Sequence, residues 1–192
     1  MATTAEPRRG GPDPRIGSAG SPRIYLTGFM GAGKTVVGQA LAALLGCRFV
    51  DLDRRIEART GLSVEEIFER RGEEAFRDLE HRALAGTADL RPAVIATGGG
   101  LMTFERNREL LRRLGVSVWL DPSFDTILAR LDEDGRRRRP LFRDPDRARR
   151  LHRERLAAYA RADFRIAVEA VETAEEVAAR IARLFEGAFC DT

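Results

Sequence analysis

The stretch Gly28-Phe-Met-Gly-Ala-Gly-Lys-Thr35 follows the spacing G-x-x-x-x-G-K-[ST]. The apolar segment 23–27 before it predicts a strand, and apolar positions at helical spacing over 34–46 predict a helix after it. Glycines let the backbone curl so that successive N–H groups face an anion, and the helix N-terminus adds partial positive charge. In such a loop the lysine reaches the β- and γ-phosphates and the Thr hydroxyl ligates Mg²⁺. The stretch therefore predicts a nucleotide-binding phosphate loop, with cofactor-binding residues Gly31, Ala32, Gly33, Lys34, Thr35 and Val36.

Almost all of the basic residues are arginines. The 192-residue chain has 33 Lys plus Arg and a formal net charge of +3, and Lys34 is its only lysine. Codon bias can replace Lys by Arg wherever charge alone matters, but a guanidinium does not substitute for a compact ammonium. The retained lysine therefore marks a position where Arg would not serve. Because there is no second lysine, the N-K-x-D motif of GTPases is absent, and a small phosphotransferase is the expected class.

Composition excludes several other classes of protein. No apolar run approaches the ~18 residues of a membrane span, and the N-terminal stretch has no hydrophobic segment typical of a secretory signal. Two cysteines do not make a disulfide framework, which fits a reducing cytoplasm. A net charge of +3 is weak support for nucleic-acid binding. We expect a cytoplasmic protein with neither a membrane nor a nucleic-acid partner.

Short apolar segments alternate with helical ones along the chain. Five strands separated by helices predict an α/β fold with a parallel sheet covered by helices on both faces; the predicted strands are 23–27, 48–50, 93–96, 116–120 and 164–168. One domain is expected over 23–187, with a lid-like loop at about 133–146. Residues 1–22 are predicted to be a disordered tail and 188–192 a short C-terminal tail.

Two carboxylates follow the second predicted strand. In an extended segment, side chains two residues apart project to one side, so Asp51 and Asp53 would be presented together at a strand's carboxyl end. One could hold Mg²⁺ through water while the other accepts a hydroxyl proton. Beside a phosphate loop, this D-x-D pattern favours a functional role over a solvated strand end.

Glycines again follow a strand at Gly98-Gly99-Gly100, where a ligand could touch the backbone. Further motifs occur in fixed order: Ile67-Phe68, Gly72-Glu73, Phe76-Arg77 with Glu80, Arg139-Pro140-Leu141, and Arg155 with Tyr159.

Taken jointly and in this order, these motifs resemble the shikimate kinase family over about residues 22–186. The resemblance implies a three-layer P-loop kinase fold with strand order 2-3-1-4-5 and a mobile lid, and a monomer. It implies transfer of the γ-phosphoryl of ATP, with Mg²⁺, to the 3-hydroxyl of shikimate in aromatic amino acid biosynthesis.

The resemblance also implies a role for each matching residue. Lys34, Asp53 and Arg139 would be catalytic, with Asp53 receiving the proton and Arg139 reaching the transferring phosphate from the lid. Shikimate would contact Asp53, Gly98, Gly99 and Gly100, with Arg77 and Arg155 on its carboxylate, a task suited to bidentate guanidinium groups. Thr35 and Asp51 would serve Mg²⁺, Arg130 would stack on adenine, and Glu80 would orient an active-site arginine.

Departures and alternatives remain at this point. The loop after the last strand, 169–173, lacks the basic residue and proline that the family often places against adenine. A kinase of the same fold for gluconate or a nucleoside monophosphate is the alternative enzyme. A nucleotide-binding regulator without turnover, or an Arg-rich nucleic-acid binder, is the alternative from another class.

Overall fold

A computed structural model describes residues 6–7, 23–131 and 140–186 of the chain. The predicted C-terminal tail, most of the predicted N-terminal tail, and residues 132–139, which include Arg139, lie outside the described residues. The predicted lid is therefore described only at its C-terminal part.

Five parallel strands form the centre of the molecule: β1 (Arg23–Thr27), β2 (Arg48–Asp51), β3 (Ala93–Ala96), β4 (Val116–Pro122) and β5 (Phe164–Val168). Their order across the sheet is β2-β3-β1-β4-β5, which confirms the predicted order 2-3-1-4-5. Asp51 and Leu26 both pair with Ala96, so β1, β2 and β3 end at the same level. The segments that follow these three strands consequently meet at one edge of the sheet.

Within the described residues, seven α-helices follow the strands and cover the sheet: α1 (Lys34–Leu44), α2 (Leu52–Thr60), α3 (Val64–Ala85), α4 (Glu105–Leu114), α5 (Phe124–Arg130), α6 (Pro145–Tyr159) and α7 (Ala174–Arg183). Helix α1 packs against α7. Two helices begin with capping boxes that the S-x-x-E and T-x-x-E spacings indicate, Ser63 with Glu66 at α3 and Thr173 with Glu176 at α7. Leu101–Thr103 and Pro140–Arg143 are short 3₁₀ turns.

Apolar side chains fill both faces of the sheet. One buried cluster includes Tyr25, Trp119 and Tyr159, and the other includes Ile24, Leu26 and Val118. Consecutive residues of β1 point to opposite faces, so a strand buried on both sides is apolar throughout rather than alternating. The two cores hold the carboxyl ends of the strands at fixed positions relative to one another.

The prediction that Asp51 and Asp53 share one extended segment is wrong. Asp51 ends β2, and α2 begins at Leu52, so Asp53 lies in a helical turn. The physical reason is that the Asp51 carboxylate accepts hydrogen bonds from the backbone N–H groups of Asp53 and Arg54, which caps the helix at its first possible residue. The two carboxylates are still neighbours, through a helix cap.

Two predicted helices are joined into α3. The sequence predicts one helix ending near Arg71 and another over 73–87, and α3 runs through both with a kink at Gly72. Gly72 has φ 78° and ψ 173°, a conformation that is essentially confined to glycine. The kink reorients the second half of α3, which carries Glu73, Arg77 and Glu80.

Two further boundaries differ from the sequence prediction. Glu6–Pro7, within the predicted tail, forms a two-residue strand antiparallel to β5. At the other end of the predicted lid, Pro140–Arg143 is a 3₁₀ turn, and Asp144 caps α6 one residue later by accepting from the N–H of Arg147. The lid loop itself remains a prediction.

Candidate active site

The phosphate loop has the backbone shape that its glycines allow. Gly28, Gly31 and Gly33 all have positive φ, and a Cβ at Gly28 would lie 2.5 Å from the Leu120 carbonyl oxygen. The Lys34 ammonium donates to the carbonyl oxygens of Gly28 and Phe29 at 2.8 and 2.9 Å. The lysine thus lies along its own loop, with its charge on the same side as the loop opening at the start of α1.

A pair of oxygen ligands lies at the start of α1. The Thr35 hydroxyl donates to Asp51 Oδ2 at 3.0 Å, while Asp51 Oδ1 caps α2. Hydroxyl and carboxylate oxygens suit Mg²⁺, which usually takes one or two protein ligands beside phosphate and water. Consistently, the described residues contain no group of three or more His, Cys, Asp or Glu side chains able to hold a metal by themselves. Thr35 and Asp51 therefore fit the magnesium role predicted for them.

Two buried carboxylates face each other across Gly98. A Cβ at Gly98 would meet Glu80 Oε1 at 2.7 Å and Asp53 Oδ1 at 2.9 Å. Neither of these two oxygens has a hydrogen-bond partner among the described residues. Burial raises the pKa of Asp53 to about 6, with the Asp51 charge adding to the shift. The site therefore holds acceptor oxygens that are ready for a hydroxyl donor.

Arg77 is held on several sides. Its Nε and Nη2 donate to Glu73 Oε1 at 3.2 and 3.0 Å, and its Nη1 donates to Glu80 Oε2 at 3.1 Å. Burial raises the pKa of Glu80 to about 7, and the neighbouring Arg77 charge opposes that shift. A Cβ at Gly100 would lie 2.6 Å from both Nη atoms. The lack of a side chain at Gly100 therefore lets the guanidinium lie directly against the glycine loop.

Arg155 and Tyr159 meet the same glycine loop from α6. Arg155 Nη1 donates to the Gly99 carbonyl oxygen at 3.3 Å, and the Tyr159 hydroxyl donates to it at 2.6 Å. Burial raises the pKa of Tyr159 to about 12, so the hydroxyl stays a donor at neutral pH. The predicted contact between shikimate and the Gly99 backbone stays a prediction. We call Asp53, Arg77, Glu80 and Arg155 the charged cluster.

An aromatic group joins the phosphate loop to the charged cluster, and sequence analysis missed it. The Phe29 ring lies 5.1 Å from that of His152 and 6.3 Å from that of Phe142, and the Arg155 guanidinium lies 6.0 Å from its centre. Burial lowers the pKa of His152, which keeps the imidazole neutral in this apolar setting. The only available signal was an aromatic residue at a variable position of the loop motif, and that alone predicts nothing.

Arg130 is engaged with the loop after β5. Its Nη2 donates to the carbonyl oxygens of Glu169, Ala170 and Glu172 at 2.7, 3.5 and 3.0 Å. Within that loop, the Glu172 carboxylate accepts from the Glu169 N–H at 2.7 Å, and Val171 is 91 % exposed. Arg130 and the 169–173 loop therefore form one unit at the carboxyl edge of the sheet, and stacking of Arg130 on adenine stays a prediction.

The structure brings most of the predicted site residues to one edge of the sheet. The phosphate loop with Gly31, Ala32, Gly33 and Val36, the Thr35–Asp51 pair, the glycine loop and the charged cluster all follow or adjoin the carboxyl ends of β1, β2 and β3. Arg139 is not among the described residues. Glu73 was noted only as part of a motif, and its contact with Arg77 four residues later is a spacing that a helix could have indicated.

Comparison with known proteins gives a consistent result. Residues 30–186 match the sequence model of the family described as Shikimate kinase. The shikimate kinase of Geobacter sulfurreducens is 46 % identical over 162 residues, covering 83 % of this chain and 88 % of its own. That of Gloeobacter violaceus is 45 % identical over 168 residues, covering 83 % and 94 %. A solved structure of the Acinetobacter baumannii shikimate kinase in complex with shikimate superposes with a TM-score of 0.79 at 36 % identity, covering 89 % and 96 %.

Proposed function

The chain belongs to the shikimate kinase family, and we propose how its residues divide the reaction of that family among themselves. The chain is an ATP-dependent kinase that phosphorylates the 3-hydroxyl of shikimate, with Mg²⁺, in aromatic amino acid biosynthesis. The observation that supports the division of roles is the charged cluster, which surrounds a glycine loop beside the phosphate loop.

Shikimate is a carboxylate that carries several hydroxyls, and the charged cluster has complementary groups for both. Arg77 has five N–H groups, three of which are bound to Glu73 and Glu80 among the described residues, and both of its Nη atoms lie close to Gly100. Arg155 adds a second guanidinium across the glycine loop. We assign the substrate carboxylate to these two arginines and the hydroxyls to Asp53 and the backbone of Gly98, Gly99 and Gly100.

Asp53 is the group to accept the proton of the attacking hydroxyl. Its buried Oδ1 has no hydrogen-bond partner among the described residues. A raised pKa near 6 makes the carboxylate a better base than an exposed one while leaving it ionised at neutral pH. A base that is fixed by its position in the first turn of α2 loses little entropy when the substrate binds.

The nucleotide is assigned to the opposite side of the site. Residues Gly31–Val36 hold the phosphates through backbone N–H groups, Lys34 extends from its loop to them, and Thr35 with Asp51 hold the metal. When bound, Mg²⁺ supplies charge neutralisation at the phosphate oxygens. Arg130 is assigned to the adenine and Arg139 to the transferring phosphoryl group, on the resemblance alone.

The remaining assignments concern the state of the protein. No helix among the described residues is long and apolar enough to cross a membrane. We propose a monomer in the cytoplasm, without a nucleic-acid partner; the free thiol of Cys47 fits a reducing compartment.

The test is ADP release from ATP and Mg²⁺ with three acceptors. We expect turnover with shikimate and only background release with gluconate, with AMP or without an acceptor. Phosphorus NMR of the product then assigns the phosphorylated hydroxyl. Shikimate-independent ADP release, or faster turnover with gluconate, would contradict the proposal, and nucleotide binding with no turnover would favour the regulator.

A further inference from the structure

Glu73 contacts Arg77, but neither the sequence analysis nor the proposed function gives Glu73 a role. It lies directly after the Gly72 kink, at the start of the second half of α3. Its side chain is 63 % exposed, whereas the side chains of its partner Arg77 and of Glu80 are 8 % and 0 % exposed. A solvent-exposed acid thus contacts a buried arginine from the outside.

The contact uses the edge of the guanidinium. One oxygen of Glu73 accepts from both Nε and Nη2 of Arg77, at 3.2 and 3.0 Å. Glu80 accepts from Nη1 at 3.1 Å. Because a guanidinium is planar and rigid, acceptors on two of its sides fix the direction of the remaining N–H groups. Both Nη atoms, which carry those groups, lie close to Gly100, where a Cβ would be 2.6 Å from each.

Aromatic rings close the faces of the same guanidinium. Its central carbon lies 5.8, 5.2 and 5.0 Å from the ring centres of Phe68, Phe76 and Phe104. Rings restrict the guanidinium to its plane but do not stop it from rotating within that plane. Among the described residues, the hydrogen bonds that resist in-plane rotation are those to Glu73 and Glu80, and Glu80 binds one nitrogen.

We propose that Glu73 is a positioning residue for Arg77: it holds Nε and Nη2 so that the two remaining N–H groups of Arg77 face the substrate carboxylate above Gly100. The inference rests on the proposed role of Arg77. Glu73 does not touch the substrate and does not take part in proton transfer. It acts on the binding of carboxylate-bearing acceptors and leaves the nucleotide unaffected.

The hydrogen bonds of Arg77 also distinguish two possible effects of Glu73: it could position Arg77, or it could compete with the substrate carboxylate for Arg77. If Glu73 instead occupied the place of the substrate carboxylate, binding would require its displacement, and removing it would strengthen binding. Three N–H groups of Arg77 are bound to its two acid partners, and the other two make no hydrogen bond within the part of the chain that the structure describes, so the substrate carboxylate can bind without displacing Glu73. Removal of Glu73 should therefore weaken binding.

The experiment compares Glu73→Ala, Glu73→Gln and the control Glu74→Ala in the full chain. Glu74 is the exposed neighbouring acid and makes no hydrogen bond or ion pair among the described residues. For Glu73→Ala we expect KM for shikimate to rise about fivefold, with kcat and KM for ATP unchanged. Glu73→Gln retains an acceptor oxygen and should restore KM to within about twofold of the parent. Glu74→Ala should match the parent.

Three results would overturn the proposal. These are an unchanged KM in Glu73→Ala, a lowered KM, and an equal rise in the KM values for shikimate and ATP. Calorimetric titration of shikimate into each variant separates the outcomes, because a general loss of folding lowers the number of binding sites rather than the affinity. The parent's turnover on shikimate, measured alongside, tests the proposed function itself, so failure of the two can be told apart.

Discussion

The phosphate loop and the charged cluster lie at the same edge of the sheet but are built from different materials. The loop is made of backbone N–H groups and glycines with positive φ, and its single charged side chain rests on the loop's own carbonyls. The charged cluster is made of buried and half-buried side chains that come from α2, α3 and α6. Two of its carboxylate oxygens lack a partner among the described residues.

The phosphate loop and the charged cluster therefore show two ways in which a protein can build a binding site for a charged ligand. A phosphate loop faces solvent, and its partial charges are backbone dipoles that cost little to keep. Burying carboxylates costs more unless they are paired, which is why the pKa values of Asp53 and Glu80 rise. Nucleotide binding should therefore be retained when a side chain of the charged cluster is lost, and shikimate binding should be retained when the phosphate loop is changed.

The largest expected effect comes from Asp53→Asn. An amide cannot take the proton of the hydroxyl, so we expect kcat to fall by about 10³- to 10⁴-fold, with the affinity for ADP unchanged. Stopped-time assays and calorimetric titration of ADP measure the two quantities. Asp89→Asn, at an exposed acid away from the cluster, is the control. Loss of ADP affinity in Asp53→Asn would show that the two regions are not independent.

Lys34→Arg tests the other region. The planar guanidinium cannot replace a compact ammonium within the loop, and we expect kcat to fall about 10²- to 10³-fold while the affinity for shikimate stays the same. Arg48→Lys, at an exposed residue of β2, is the control. Because Lys34 is the only lysine, an amine-reactive reagent should label it and the N-terminus alone, and ATP should protect it. Labelling of Lys34 that saturating ATP does not slow would contradict the assignment.

Glu80→Gln tests what burial costs in the charged cluster. A raised pKa means that folded protein binds the Glu80 proton more tightly than unfolded protein, so the Glu80 contribution to stability is full below about pH 4.5 and is lost as pH rises to about 7. As the pH rises through that interval, the unfolding free energy of Glu80→Gln should therefore increase by about 2–3 kcal/mol relative to that of the parent.

Urea unfolding of both proteins at pH 5 and pH 8 measures the gain. Glu74→Gln, at the exposed neighbouring acid, should show no such change. An offset between Glu80→Gln and the parent that is the same at both pH values would mean that Glu80 titrates normally.

Among these four variants, Arg155→Lys has the smallest expected effect. One ammonium cannot replace a bidentate guanidinium, so KM for shikimate should rise about tenfold, with KM for ATP unchanged. Initial-rate kinetics with each substrate varied in turn give both values. Arg153→Lys, at an exposed neighbour on α6, serves as the control. An unchanged KM for shikimate would remove Arg155 from the substrate contacts.

Sequence determined the parts of this protein whose physics is local. The phosphate loop needs glycines and a lysine at fixed spacing between a strand and a helix, and the capping boxes of α3 and α7 need side chains three residues apart. The alternation of strands and helices was enough to predict a parallel sheet, and the strand order was predicted from the family resemblance. The boundary at Asp51 was wrong because a carboxylate can cap a helix directly after a strand, and alternation along an extended chain does not reveal this.

Tertiary structure alone decided how the charged cluster is assembled. The glycines of residues 98–100 lie close to Asp53, Arg77, Glu80 and Arg155 because β2 and β3 end level and because α6 returns across the sheet. The raised pKa values, and the buried carboxylate oxygens that lack a hydrogen-bond partner among the described residues, depend on burial and charges contributed by residues that are far apart in the chain. Spacing along a sequence fixes which groups are available, but burial and charge interactions depend on separation in space, which only the packed fold sets.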